Sequence, residues 1–137
     1  MHQTEAGYQE IAHTADWALQ VWAPDLAGLL VQSARGMIDL LDVQLAASPR
    51  LEQLLHLEAP DRESLLVAFL TEILYFNEHD RMSFDAFQVS LDGLQLEARL
   101  WGAPILAQRK EIKAVTYHQL HIQESDSALE TTLVFDV

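Results

Sequence analysis

Three short segments carry the side chains that could do chemistry. The first is His13-Thr14-Ala15-Asp16, in which an imidazole and a carboxylate stand close together in the chain. Such a pair can work as acid and base or form one corner of a metal site. Taken alone, a solvated turn with Asp16 accepting from nearby backbone N–H groups accounts for it better. The second is Lys113-Ala114-Val115-Thr116-Tyr117-His118. A lysine leading into a strand with one polar face could line a pocket, although an ordinary strand with a solvent side is the simpler reading. The third is Val134-Phe135-Asp136-Val137. Its apolar alternation implies an end held in a sheet. A tied-down Asp136 beside the α-carboxylate of Val137 concentrates negative charge, which needs a cation nearby or exposure to water.

Together these segments suggest a hard-cation site. Oxygen donors without any cysteine favour Ca²⁺ or Mg²⁺ over Zn²⁺. Nothing matches an EF-hand loop, a HExxH helix, a Walker loop or a GxSxG elbow. No residue-level case for a hydrolase or transferase follows. Arg99, Arg109, Lys110 and Lys113 fall close together in the sequence and make a small local basic patch.

The elements that must position these residues follow from periodicity. Ala15 to Trp22 alternates and reads as a strand, with Trp17, Leu19 and Val21 on one face. Asp25 is then an N-cap, its carboxylate accepting from free N–H groups of the first turn. Leu26, Leu29, Leu30, Ala34, Met37, Ile38 and Leu41 recur at helical steps and make a buried stripe. Gly28 and Gly36 either weaken this helix, by about 1 kcal/mol each, or mark close packing. Leu51 to Glu58 reads as a second strand. Asp61 caps a second helix through Leu65, Leu66, Phe69, Leu70, Ile73, Leu74 and Phe76, which should fray near Asn77-Glu78-His79-Asp80. Phe87 to Leu91, a turn at Asp92-Gly93, and Leu94 to Trp101 form a hairpin. Ala114 to Gln123 and Leu129 to Val137 are the last strands. This order predicts an α+β fold, mainly antiparallel sheet with two amphipathic helices packed against it.

Composition bounds the rest. The chain has 137 residues, half of them apolar, so residues 1–137 are expected to form one domain with a sizeable core. The first residues have no basic or long apolar stretch, so no secretory signal is expected, and no run reaches the length of a membrane span. With no cysteine, a cytoplasmic location is the expectation. Twenty-one acidic residues against eight basic ones give a net charge of −13. Such a surface repels phosphate backbones and anionic lipid, so strong direct nucleic-acid or membrane binding is not expected.

At the three segments the sequence resembles the archease family, over nearly its whole length. Ile11-Ala12-His13-Thr14-Ala15-Asp16 is similar to the family's opening motif, Lys113 to His118 to its most specific string, and Phe135-Asp136-Val137 to its closing residues. Gly36 to Leu41 and Leu65 to Phe76 resemble its two helices. The resemblance implies a protein cofactor rather than an enzyme. Its role would be to activate the GTP-dependent RNA ligase of tRNA splicing and RNA repair by promoting guanylylation and multiple turnover. It also implies a divalent cation, usually calcium, with Mg²⁺ and Mn²⁺ compatible with the same oxygen donors. The implied ligands are Asp16, Asp136 and Val137, with Asp39 as a further acidic position. Lys113 and His13 are implied to lie on the partner-activating surface. The alternative is a chaperone-like interaction module with no dedicated ligase. Two departures stand out. Trp17 replaces a smaller aliphatic residue, and Ile105-Leu106-Ala107-Gln108 stands where many relatives have a longer polar loop.

Overall fold

In the computed structural model the described residues are 5–11 and 17–137. The segment His13–Asp16 lies outside them. β1 (Gly7–Ile11) pairs antiparallel with β2 (Trp17–Ala23). Asp25 is extended, and its Oδ1 accepts from the Gly28 N–H at 2.7 Å, which starts α1 (Leu26–Leu41) as the sequence predicts. Leu29, Leu30, Ala34, Met37, Ile38 and Leu41 are buried along one stripe. Gly36 turns out to mark close packing. A Cβ there would run into Leu19 Cδ2 and come within 2.9 Å of the Tyr8 ring.

β3 (Val43–Leu45) and β4 (Leu51–Glu58) follow, then α2 (Arg62–His79), whose N-cap Asp61 accepts from the Ser64 N–H at 2.7 Å. This carboxylate is held below its ordinary pKa by that bond. The helix ends at His79, within the stretch expected to fray, but Asn77 in its last turn is held. That side chain is buried, and its Nδ2 donates to Gln108 Oε1 at 3.0 Å. β5 (Met82–Asp92) and β6 (Gln95–Gln108) form a long hairpin. Asp92 still pairs, opposite Gln95, so the two-residue loop is Gly93-Leu94 rather than Asp92-Gly93. Gly93 takes the positive φ of 60° that the first position of a type II′ turn requires. Residues 105–108 are not loop. They extend β6 and pair with β3.

β7 (Ala114–Val115), β8 (Gln123–Glu124) and β9 (Leu129–Asp136) complete the chain. One sheet has the order β1-β2-β9-β7, with β8 also on β9. The other has the order β3-β6-β4, with β5 on β6. All the pairings are antiparallel. Each helix touches both sheets: α1 packs on β2, β1, β9 and β5, and α2 on β5, β4 and β7. One core of Leu19, Leu30, Met37, Leu66, Phe69, Phe84, Leu100 and Phe135 runs through all of them.

The continuous strand expected over Ala114–Gln123 is not formed. Ala114 and Val115 pair with β9 at one end and Gln123, in β8, at the other, but between them Tyr117–Leu120 turns, with Gln119 at φ 54°. The N-terminus of α2 captures the backbone that a ladder would have used. Ile122 N–H donates to Glu63 Oε2 at 2.9 Å, and Arg62 Nη2 donates to the Ile122 carbonyl at 3.4 Å. Thr131 Oγ1 takes the His121 carbonyl at 2.9 Å. Alternation in sequence cannot distinguish side-chain partners from a neighbouring strand.

Candidate functional site

Two of the three singled-out segments meet at one end of the five-stranded sheet. Ala114 pairs with Asp136 and Val115 with Phe135, while Phe135 pairs on its other side with Trp17. Lys113 N–H donates to the Asp136 carbonyl at 2.7 Å. Thr116 adds two bonds to the Val134 carbonyl, from N and from Oγ1, both at 3.0 Å, and its Oγ1 accepts from His118 N–H at 3.2 Å. The residues of the second string therefore serve first to fasten it to β9. Cross-strand partners share a face. Trp17, Phe135 and Val115 lie on one face, Ala114 and Asp136 on the other. Phe135 is fully buried, Val115 nearly so, and Lys113, Asp136 and Val137 are exposed.

Burial thus positions the charged groups. Leu133 and Phe135 anchor β9 from the core side, and Asp136 follows directly at its tip. The described oxygen donors there are the Asp136 carboxylate and the Val137 backbone. This set suits a hard cation but falls short of one by itself. Among the described residues no three His, Asp or Glu side chains converge. Trp17, the first described residue after His13–Asp16, sits beside Phe135, so the described chain resumes next to Asp136.

Asp39 has a different partner. On the exposed side of α1 its Oδ2 accepts a hydrogen bond from Tyr8 Oη, tying helix to β1. This bond, with partial burial and the nearby negative charge, pushes the Tyr8 phenol up to about 12. The surrounding groove, of about 260 Å³, is lined by Arg35, Val43, Leu45, Asp85 and Phe87 among others. Asp136 is not among its lining residues.

The basic patch is only partly assembled. Arg99 lies on the outer face of the other sheet, opposite Glu52 at 3.9 Å. It borders a concavity of about 670 Å³ with Leu54, His56, Gln88, Ser90 and Glu97. That hollow takes in Arg99 of the basic patch but no residue of the three chemical segments. Arg109, Lys110 and Lys113 do stay together, on the connector between β6 and β7. Arg109 Nε faces Asp42 at 3.6 Å, and Lys110 Nζ lies 5.2 Å from the centre of the Trp17 ring. Sequence reading did not single out Lys110 by itself. Its relation to Trp17 spans distant positions and has no local signature.

Two helices shared between two antiparallel sheets, with a charged rim at the end of β9, make this an α+β protein. A model of the Archease protein family (MTH1598/TM1083) matches residues 8–137. The chain belongs to the archease family. It is 33% identical over 138 residues to a protein archease of Methanopyrus kandleri, covering 95% of this chain and 99% of that one. A protein archease of Methanothermobacter thermautotrophicus is 26% identical, covering 96% and 99%. The fold is similar to the crystal structure of "an archease, possible chaperone" from Thermotoga maritima, with a TM-score of 0.70, 22% identity and full coverage of both chains. The solution structure of protein 1598 of Methanobacterium thermoautotrophicum matches with a TM-score of 0.69 and 21% identity over 96% of this chain and 99% of that one. No helix among the described residues is long and apolar enough to cross a membrane.

Proposed function

We propose that this protein activates a GTP-dependent RNA ligase of tRNA splicing or RNA repair, promoting its guanylylation and repeated turnover, and is not itself the catalyst. The observation that carries this reading is the fastening of the Lys113 string onto β9 beside Asp136, in a chain matching the archease family over residues 8–137. In this reading a divalent cation is held by Asp16, Asp136 and an oxygen of Val137, and Lys113 and His13 face the ligase. Asp39, the further acidic position of this reading, has its Oδ2 bonded to Tyr8. When bound there, a cation would supply positive charge for the phosphates of the reacting nucleotide. The chain's own contribution is rigidity, because the Lys113 and Asp136 backbones are joined by a hydrogen bond and buried Val115 and Phe135 lie next to them. A net charge of −13 favours docking onto a cleft made basic to hold RNA.

The test is multiple-turnover ligation of a 3′-phosphate RNA to a 5′-hydroxyl RNA by the cognate ligase with GTP and Mn²⁺, with this protein substoichiometric. A rise from about one turnover to many supports the reading. With an active ligase, no rise together with suppressed aggregation of unrelated unfolded proteins would replace it with the chaperone-like module.

A further inference from the structure

The connector from Arg109 to Lys113 has no regular secondary structure, yet its backbone is held at closely spaced points. Arg109 N–H donates to the Asp42 carbonyl and Lys110 N–H to the Leu41 carbonyl, both at 3.2 Å, and Lys113 N–H to Asp136 at 2.7 Å. Gln108 Nε2 donates to the Lys110 carbonyl at 2.7 Å, while Gln108 Oε1 accepts from buried Asn77 at 3.0 Å. Ile112, 4% exposed, plugs the strap into the core. Buried polar groups such as Asn77 carry a desolvation cost unless bonded, and here the bond serves to hold the strap.

The strap presents three of the chain's eight cationic side chains, with exposed Glu111 among them. Arg109 is engaged by Asp42. Lys110 is instead set over the Trp17 ring, a contact that places an ammonium without neutralising it. An exposed cation held this way is positioned to meet an anion brought by a partner. Against a partner cleft that is itself basic, protein carboxylates are the wrong complement and phosphoryl oxygens the right one.

Resting on the reading as a ligase activator, we infer that Lys110, held by Trp17 and the Asn77–Gln108 strap, is a phosphate-binding residue for the guanine nucleotide at the ligase interface. It contributes a point charge beside Lys113 and takes no part in bond making.

The experiment measures ligase guanylylation against GTP concentration with wild-type protein, Lys110→Met and Lys110→Arg. Lys110 is exposed, so thermal melts of the three should coincide. The expected result is a roughly tenfold higher half-saturating GTP with Lys110→Met, the loss of about one charge-assisted hydrogen bond, and recovery with Lys110→Arg. An unchanged GTP requirement with Lys110→Met overturns the inference. So does a change confined to the concentration of 3′-phosphate RNA, which would assign the strap to RNA ends. If wild-type protein gives no stimulation, the activator reading itself fails and carries this inference with it, an outcome visible in the wild-type reaction alone.

Discussion

The backbone N–H of Lys113 donates to the backbone carbonyl of Asp136 at 2.7 Å, joining the two most specific stretches of the chain at one sheet end. Neither side chain is needed for that bond. Their identities are therefore free to serve something other than folding, and the site predictions follow from this separation.

Asp136→Asn should leave the fold intact, because the side chain is exposed and substitutions at such positions usually stay within about 0.5 kcal/mol. Calcium at a hundred times its dissociation constant should stabilise the wild type by about 2.7 kcal/mol and the variant far less. Thermal melts with and without calcium check this. Equal calcium shifts in both proteins would remove Asp136 from the proposed cation site.

Tyr8 gives a pH prediction. Its folded-state pKa is raised from 10.0 to about 12, mainly by donation to Asp39. A raised pKa means that the folded state keeps its proton longer. The associated stability is complete below pH 10 and is lost as pH rises toward 12. Denaturant melts across this window should show a decline that Tyr8→Phe lacks. A spectrophotometric titration of the folded protein should show one tyrosine ionising late, absent in the same variant.

At Asp85 the sign is opposite. Arg50 donates to both its carboxylate oxygens, at 2.9 and 2.6 Å, and holds its pKa below the ordinary value of 3.8. The bridge's stability is present above that value and is lost as pH falls through the lowered one. Asp85→Asn should therefore lower stability at neutral pH by about 1 kcal/mol or less, since both partners are half exposed, and by less still in acid, so that the acid limb of the stability curve flattens by the same small amount.

Gly102→Ala tests the packing of the β5–β6 hairpin. An added Cβ at Gly102 would collide with the Ser83 carbonyl oxygen, which is backbone and cannot rotate away. The β5 register shifts between Phe84 and Ala86 at this point. A loss of about 1–3 kcal/mol or more is expected from chemical denaturation, against a small effect for alanine at an open surface site.

Glu63→Ala should loosen the turn that replaced the expected strand. It leaves the N–H of buried Ile122 without its carboxylate partner. The cost should be about 1–3 kcal/mol, with faster amide exchange at Ile122 as the local readout. Unchanged exchange there would show that α2 does not hold this segment.

Sequence alone determined the helices, their caps Asp25 and Asp61, and the outlines of β4 and β9. These depend on local periodicity and on short-range bonds between residues three apart. It also brought out the three chemical segments, because unusual residue types persist in any fold. What it could not specify were relations between distant positions. β1 and β3 were missed because each is short and gains its stability from one partner strand. The strand expected over residues 114–123 gave way to a turn because Arg62, Glu63 and Thr131 supply its backbone partners from elsewhere in the chain. The grouping of Lys110 with Trp17, the removal of Arg99 to another sheet and the commitment of Asp39 to Tyr8 were likewise decided by tertiary structure. Each depends on which surfaces meet when α1 and α2 pack between the two sheets, a condition that no local window of residues contains.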